Sequence, residues 1–139
     1  MMKTIYKNEF VEINSDDENK YIETIYLETS TEMSDTTYKE LVLKGIELFN
    51  SSIVSYNKFL ADFRFLNYAV HPDVQIWVAN ESKRIKFPDE YKYASILNSE
   101  LITMLSIEQT IDEVEVANQY QPQMRYFEDV EKAKEWLFE

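Results

Sequence analysis

Residues 58–63 read Lys-Phe-Leu-Ala-Asp-Phe, which is a short and nearly continuous apolar run. Runs of this kind are typical of strands that are covered on both faces, so Lys58–Phe63 is predicted as a central strand. Further along the chain, Tyr93–Leu97 and Met124–Phe127 are predicted as strands, and segments with helix signals separate the three. This alternation predicts parallel strands joined by right-handed crossovers.

The beginning of the chain predicts an antiparallel hairpin. Thr4, Tyr6, Phe10, Val11 and Ile13 indicate a first strand. Residues Tyr21–Thr29 are rich in β-branched and aromatic side chains, which indicates a second. The polar segment Asn14–Asn19 between them is predicted as the turn. We therefore expect an antiparallel hairpin at one edge of the sheet.

The first helix is predicted to begin after Ser34, whose hydroxyl can accept a hydrogen bond from a first-turn N–H group. Its apolar face recurs every three and four residues and comprises Tyr38, Leu41, Val42, Gly45, Leu48 and Phe49. Gly45 is the only glycine of the chain, and a glycine inside a helix costs about 1 kcal/mol relative to alanine. We expect close packing of this helix on the sheet to be the reason for it.

Three more helices are predicted downstream. Pro72 suits the first turn of a helix whose apolar period continues to Phe87. Ser106 and Gln109 match a capping box for a helix that reaches Ala117. Asp129 caps the last helix, in which Val130, Ala133, Trp136 and Leu137 share one face.

Together these segments predict an α/β fold in one domain, residues 1–139. We expect a mixed, mostly parallel sheet of about five strands with an N-terminal β-hairpin.

Composition excludes several classes of function. The net charge of −12 repels nucleic-acid phosphates, so no nucleic-acid partner is expected. The chain has no cysteine for a disulfide or a thiolate zinc site, and its one glycine cannot form a phosphate-binding loop. No segment approaches the roughly 20 apolar residues of a membrane span. We expect a cytoplasmic protein with no catalytic residues, no metal, no cofactor and no membrane insertion.

Two charged residues stand out at the end of the predicted central strand. Asp62 lies within the apolar run and Arg64 follows two residues later, so both side chains point to the same face of the sheet. Because ligands bind beyond the carboxyl ends of strands in open α/β sheets, the predicted interaction or ligand surface lies here. Its residues are Asp62, Arg64, Tyr68, His71, Asp73 and Trp77. The alternative is a structural ion pair between Asp62 and Arg64.

Four stretches resemble one family: Phe-Leu-Ala-Asp-Phe-Arg at 59–64, His-Pro-Asp-Val-Gln-Ile-Trp at 71–77, Leu-Ser-Ile-Glu-Gln-Thr at 105–110 and the ending from Arg125 to Leu137. They resemble the small bacterial STAS-like proteins, which are related in fold to anti-sigma-factor antagonists and grouped by some with CRAL-TRIO domains. The resemblance implies a STAS-like fold, with a sheet of about five strands and helices packed mainly on one face, and a function through protein contact. The phosphorylatable serine of the antagonists has no counterpart, because residues 67–73 contain neither serine nor glycine.

Two hypotheses about function follow. The first is a non-catalytic protein-interaction or regulatory module, with a protein partner or with a second copy in a homodimer, through Phe65–Asp73 and the next helix. The second is a binder of a small apolar or lipid-like ligand in a pocket between sheet and helices. The second is suggested by Tyr68, Trp77, Met104, Leu105 and Met124. An enzyme that uses Asp62, Arg64 and His71 is a third, weaker reading.

Overall fold

The computed structural model describes residues 2–52, 55–65, 72–98 and 123–139. Within these residues the strands are β1 (Lys3–Lys7), β2 (Val11–Asp16), β3 (Tyr21–Tyr26), β4 (Lys58–Asp62), β5 (Lys92–Ile96) and β6 (Met124–Phe127). The helices are α1 (Asp35–Ser51), α2 (Pro72–Ser82) and α3 (Val130–Leu137), with a 3-10 helix at Glu28–Glu32. The helix predicted from Ser106 to Ala117 lies outside the described residues.

The six strands form one mixed sheet in which the spatial order follows the chain order from β1 to β6. The pairs β1–β2 and β2–β3 are antiparallel. The pairs β3–β4, β4–β5 and β5–β6 are parallel. The α/β class and the mixed sheet are confirmed, but the described part of the chain has one strand more than expected, and parallel pairings outnumber antiparallel ones by only one.

The extra strand arises because the predicted first strand is in fact two. The Asn8 side chain accepts hydrogen bonds from the backbone N–H groups of Phe10 (2.8 Å) and Val11 (2.9 Å), and the Asn8 N–H donates to the Val11 carbonyl at 3.0 Å. Asparagine side chains that bind the backbone a few residues on create turns. This turn reverses the chain between β1 and β2. The predicted hairpin is present as β2–β3, although β2 continues through Asp16 into the segment expected to be the turn.

Two of the three described helices, α1 and α2, pack on one face of the sheet, and α3 packs on the other. On the first face, here called the α1 face, Val11 and Tyr26 pack with Leu41 of α1 and Val74 of α2. On the opposite face, here called the α3 face, residues of β3 to β5 pack against α3. That cluster contains Tyr21, Leu60, Ala94, Ile96, Ala133 and Leu137. Since β4 and β5 carry apolar residues on both faces, a cover on one side would have left the other exposed to water.

The caps predicted for α1 and α3 are confirmed. The Ser34 hydroxyl accepts from the Thr37 N–H at 3.2 Å, and the Asp129 carboxylate accepts from the Glu131 N–H at 2.8 Å. The second helix ends at Ser82, earlier than the predicted Phe87. Beyond it the chain leaves the helix through 3-10-type bonds, from the Arg84 N–H to the Glu81 carbonyl and onward.

Candidate functional site

Asp62 and Arg64 form a structural ion pair at the carboxyl end of β4. Arg64 Nη2 lies 2.8 Å from Asp62 Oδ2, and Arg64 Nε lies 3.0 Å from Oδ1, which makes the contact bidentate. The Arg64 backbone N–H also donates to Oδ1 at 3.1 Å. Asp62 is only 3% exposed, and its carboxylate raises the pKa of Arg64 above the ordinary value. This charge has its partners inside the protein, as the structural alternative predicted.

The ion pair belongs to a set of contacts that fix the chain after β4. The Asn98 side-chain amide donates to the Arg64 carbonyl at 3.0 Å, and the Ser30 hydroxyl donates to the Phe65 carbonyl at 3.0 Å. Because both carboxylate oxygens of Asp62 accept hydrogen bonds from Arg64, the pair holds the end of the strand in place.

The structure does not bring the predicted surface residues together into one site. Asp62 pairs in register with Ile25 and Ile96, and this register puts it on the α3 face. Asp73 and Trp77 belong to α2 on the other side of the sheet. Trp77 is half-buried, and the Lys39 ammonium of α1 lies 5.4 Å from its ring centroid. Tyr68 and His71 lie outside the described residues.

A largely apolar cavity of about 210 Å³ lies between the sheet and the helices α1 and α2. Its wall consists mainly of aromatic and branched aliphatic side chains. The aromatic members are Tyr6, Tyr26, Tyr38, Phe49, Phe59, Phe63, Phe87 and Tyr93. The aliphatic members include Val11, Ile13, Ile22, Leu41, Val42, Ile46, Leu48, Val78 and Ile85. Among the described lining residues no side chain is charged.

The cavity exists because small residues face each other across the gap between sheet and helix. Thr24 and Ala61 are direct neighbours in the β3–β4 register and form part of the sheet side. Gly45 of α1 lines the helix side. A Cβ atom added at Gly45 would meet nothing within 4 Å, so the close packing expected to explain this glycine is not there. On the α1 face the packed clusters around Tyr26 and around Phe59 both contribute to the wall.

Four tyrosines line this apolar wall, and two of them, Tyr26 and Tyr93, stack on phenylalanine rings. The Tyr26 ring stacks on Phe63 with the centroids 5.4 Å apart, and the Tyr93 ring stacks on Phe59 at 6.0 Å. Burial raises the pKa of Tyr26 well above its ordinary value, with smaller contributions from Tyr38 and Tyr93. Burial likewise raises the pKa of Tyr93 to about 12. Both phenols are therefore neutral hydrogen-bond donors at physiological pH.

The residues that suggested a pocket from the sequence are not those that form it. Trp77 and Met124 are absent from the described lining, while Tyr68, Met104 and Leu105 lie outside the described residues. The residue that could have indicated the cavity from the sequence is Gly45, the one glycine of the chain, which lies on the apolar face of the predicted helix. Thr24 and Ala61 also line the cavity, but they can be recognised as neighbours only when the strand register that pairs them is known.

Comparison of the chain with family models, with curated proteins and with solved structures finds no match. Within the described ranges, no three His, Asp or Glu side chains come together in a way that could hold a metal ion. None of the helices in the described part of the chain is long and apolar enough to cross a membrane.

Proposed function

We propose that this protein binds a small apolar molecule in the cavity between the sheet and the helices α1 and α2. The observation that carries this proposal is a cavity of about 210 Å³ beneath a helix whose only glycine is not needed for packing. The space is partly open to solvent, and a ligand that enters it would take apolar side chains of the sheet and of α1 out of water. Burial of apolar surface is favourable in proportion to the area removed from water.

The volume sets the size of the ligand. An engineered apolar cavity of about 150 Å³ binds benzene in another protein. Pockets for drug-sized ligands occupy about 300–1,000 Å³. A cavity of about 210 Å³ falls between these values, which favours a compact molecule over a long acyl chain.

The test is calorimetric titration with toluene, which is compact, apolar and uncharged. We expect wild-type protein to bind toluene and the variant Gly45→Leu to lose this binding, because a leucine side chain at this position occupies the cavity. Glu47→Leu is the matched control, since it adds the same side chain to an exposed position of the same helix. Toluene should bind to this control as it does to wild type.

Gly45→Leu should unfold at a temperature no lower than wild type, which separates a filled cavity from a damaged fold. Absence of toluene binding to the wild type would refute the proposal. Unchanged binding to a stably folded Gly45→Leu variant would refute it as well, since the ligand would then occupy another place.

A second candidate function is protein contact through the end of β4 and α2, and it is favoured by two exposed apolar side chains. Phe65 is 41% exposed and Ile76 is 63% exposed, and both belong to the surface that the sequence predicted. The resemblance to STAS-like proteins supports a regulatory module of this kind, and we take a second copy of the chain as the occupant. With a net charge of −12, self-association should strengthen as salt screens the repulsion.

Light scattering after size exclusion tests this candidate at low and high salt. We expect a dimer fraction that rises with salt in the wild type and falls in Ile76→Glu. Asn80→Glu adds the same charge at another exposed position of α2 and serves as the control. A wild type that stays monomeric at all salt concentrations would rule this function out.

A further inference from the structure

Three phenylalanine rings close one end of the cavity. These rings, here called the end wall, are Phe49 of α1, Phe59 of β4 and Phe87, and all three line the cavity. The ring centroids lie 5.1 Å apart for Phe49 and Phe59, 5.3 Å for Phe59 and Phe87, and 5.8 Å for Phe49 and Phe87. Aromatic rings at these distances pack against one another, so the end wall is a continuous apolar barrier to a ligand.

The end wall lies close to the small residues that create the cavity. Phe49 follows Gly45 by four residues in α1, and residues four apart lie on the same face of a helix, about 6 Å along its axis. Phe59 precedes Ala61 by two residues in β4, and residues two apart point to the same face of a strand. A ligand that lies between Gly45 and Ala61 therefore meets the end wall within about one helical turn.

Phe87 is the member of the end wall that belongs to no helix or strand. It ends a segment between α2 and β5, here called the strap (Arg84–Phe87), in which Arg84 and Lys86 are exposed while Phe87 is half-buried. The Asn50 side chain of α1 holds the strap by two hydrogen bonds. Its amide N–H donates to the Arg84 carbonyl at 2.9 Å, and its oxygen accepts from the Lys86 N–H at 3.1 Å. These contacts fix the strap to α1, with the Phe87 ring against the cavity.

Resting on the proposed function, we infer that Phe87 is the residue that sets the length of the ligand. Phe49 and Phe59 are parts of α1 and of the central strand, so their positions follow from the fold itself. Phe87 instead separates the cavity from Tyr91, which stacks on it with the centroids 4.5 Å apart and is not among the described lining residues. A ligand must end where the Phe87 ring begins, and loss of this ring lengthens the cavity toward Tyr91.

Calorimetric titration with straight-chain alcohols, from 1-hexanol to 1-decanol, measures this length. The alcohols are uncharged, and their hydroxyl group can stay at the open side of the cavity. Each methylene group that leaves water for the cavity should raise the affinity about 4-fold. In the wild type we expect this gain to stop before 1-decanol, because the chain then reaches Phe87. In Phe87→Ala the gain should continue to longer alcohols.

Phe127→Ala is the matched control, because Phe127 is a half-buried ring on the α3 face and is not among the described lining residues. Its gain in affinity should stop at the same alcohol as in the wild type. Retained binding of 1-hexanol shows that each variant is folded. Should Phe87→Ala fail to fold, Phe87→Leu keeps more of the apolar contact and should shift the limit in the same direction.

The outcomes separate this inference from the proposed function. An affinity that still rises at 1-decanol in the wild type, or a limit that stays the same in the Phe87 variants, would overturn the role of Phe87 and leave the cavity as a binding site. A limit that also shifts in Phe127→Ala would overturn it too, since the loss of a distant ring would then have the same effect. If neither toluene nor any alcohol binds to the wild type, the proposed function itself fails.

Discussion

Replacing Gly45 by alanine should make this protein more stable. The chain has no glycine with a positive φ angle, so alanine can adopt the same backbone, and its methyl group would meet nothing within 4 Å. Removing a glycine from a helix interior contributes about 1 kcal/mol. A methyl group that leaves water for an apolar space adds up to about 0.8 kcal/mol. The free energy of unfolding should therefore rise by about 1–2 kcal/mol, and Tm should rise by roughly 3–6 °C for a chain of this length.

Urea unfolding measures this change, with an unaltered slope as the sign that only stability has changed. The exposed position Glu47 of the same helix supplies the control. The difference in stability between Glu47→Ala and Glu47→Gly gives the helix propensity alone. The difference between alanine and glycine at position 45 should exceed it by the contribution of the buried methyl group. A loss of stability in Gly45→Ala would mean that α1 packs closely on the sheet there, and the argument for the cavity would fail.

Three further changes follow from the described contacts. Arg64→Ala should lower the free energy of unfolding by about 2 kcal/mol, and by more than Asp62→Asn in urea unfolding, because it takes the charged hydrogen bonds of a half-exposed arginine away from a carboxylate that is 3% exposed. Equal losses would contradict this order. Ser15→Ala should leave the free energy of unfolding unchanged or raise it by up to about 1 kcal/mol, since Ser15 Oγ is the buried side-chain atom without a hydrogen-bond partner in the described residues. A clear loss of stability in urea unfolding would mean that this hydroxyl does have a partner. Because the pKa of Tyr93 is raised to about 12, against about 10 in an unfolded chain, its contribution is fully present below pH 10 and is lost between pH 10 and 12. The urea midpoint of wild type should fall over this range more steeply than that of Tyr93→Phe, and parallel pH profiles would refute the assignment.

The parts of the fold that the sequence predicted correctly depend on local signals. Ser34 and Asp129 lie directly before the helices that they cap, and each cap involves residues no more than three positions away. The central position of β4 follows from an apolar run that needs cover on both sides. In the structure α1 and α2 supply this cover on one face and α3 supplies it on the other.

The missed features depend on contacts that a pattern of residue types does not contain. Lys7, Asn8 and Glu9 interrupt the predicted first strand with three polar residues, but residue types alone do not show that the Asn8 side chain reverses the chain by binding two backbone N–H groups. The cavity arises from the pairing of Thr24 with Ala61, whose positions are 37 residues apart in the chain but adjacent in the sheet. Only the register brings these two small side chains together opposite Gly45. The ion pair of Asp62 and Arg64 could be predicted because the two residues are close in sequence.

The side chains on the α3 face pack more closely than those on the α1 face. The cavity is therefore a local feature of the α1 face. On the α3 face, Ala94, Ile96 and Ala133 have no exposed surface at all and Leu137 is 1% exposed. A chain that packs one helix this closely is able to fill the other side as well, and one methyl group at Gly45 would begin to do so with a gain in stability. Stability and binding should therefore respond separately. Truncation of Leu137 should lower the free energy of unfolding and leave the affinity for toluene unchanged, whereas a leucine at position 45 should abolish that affinity without loss of stability.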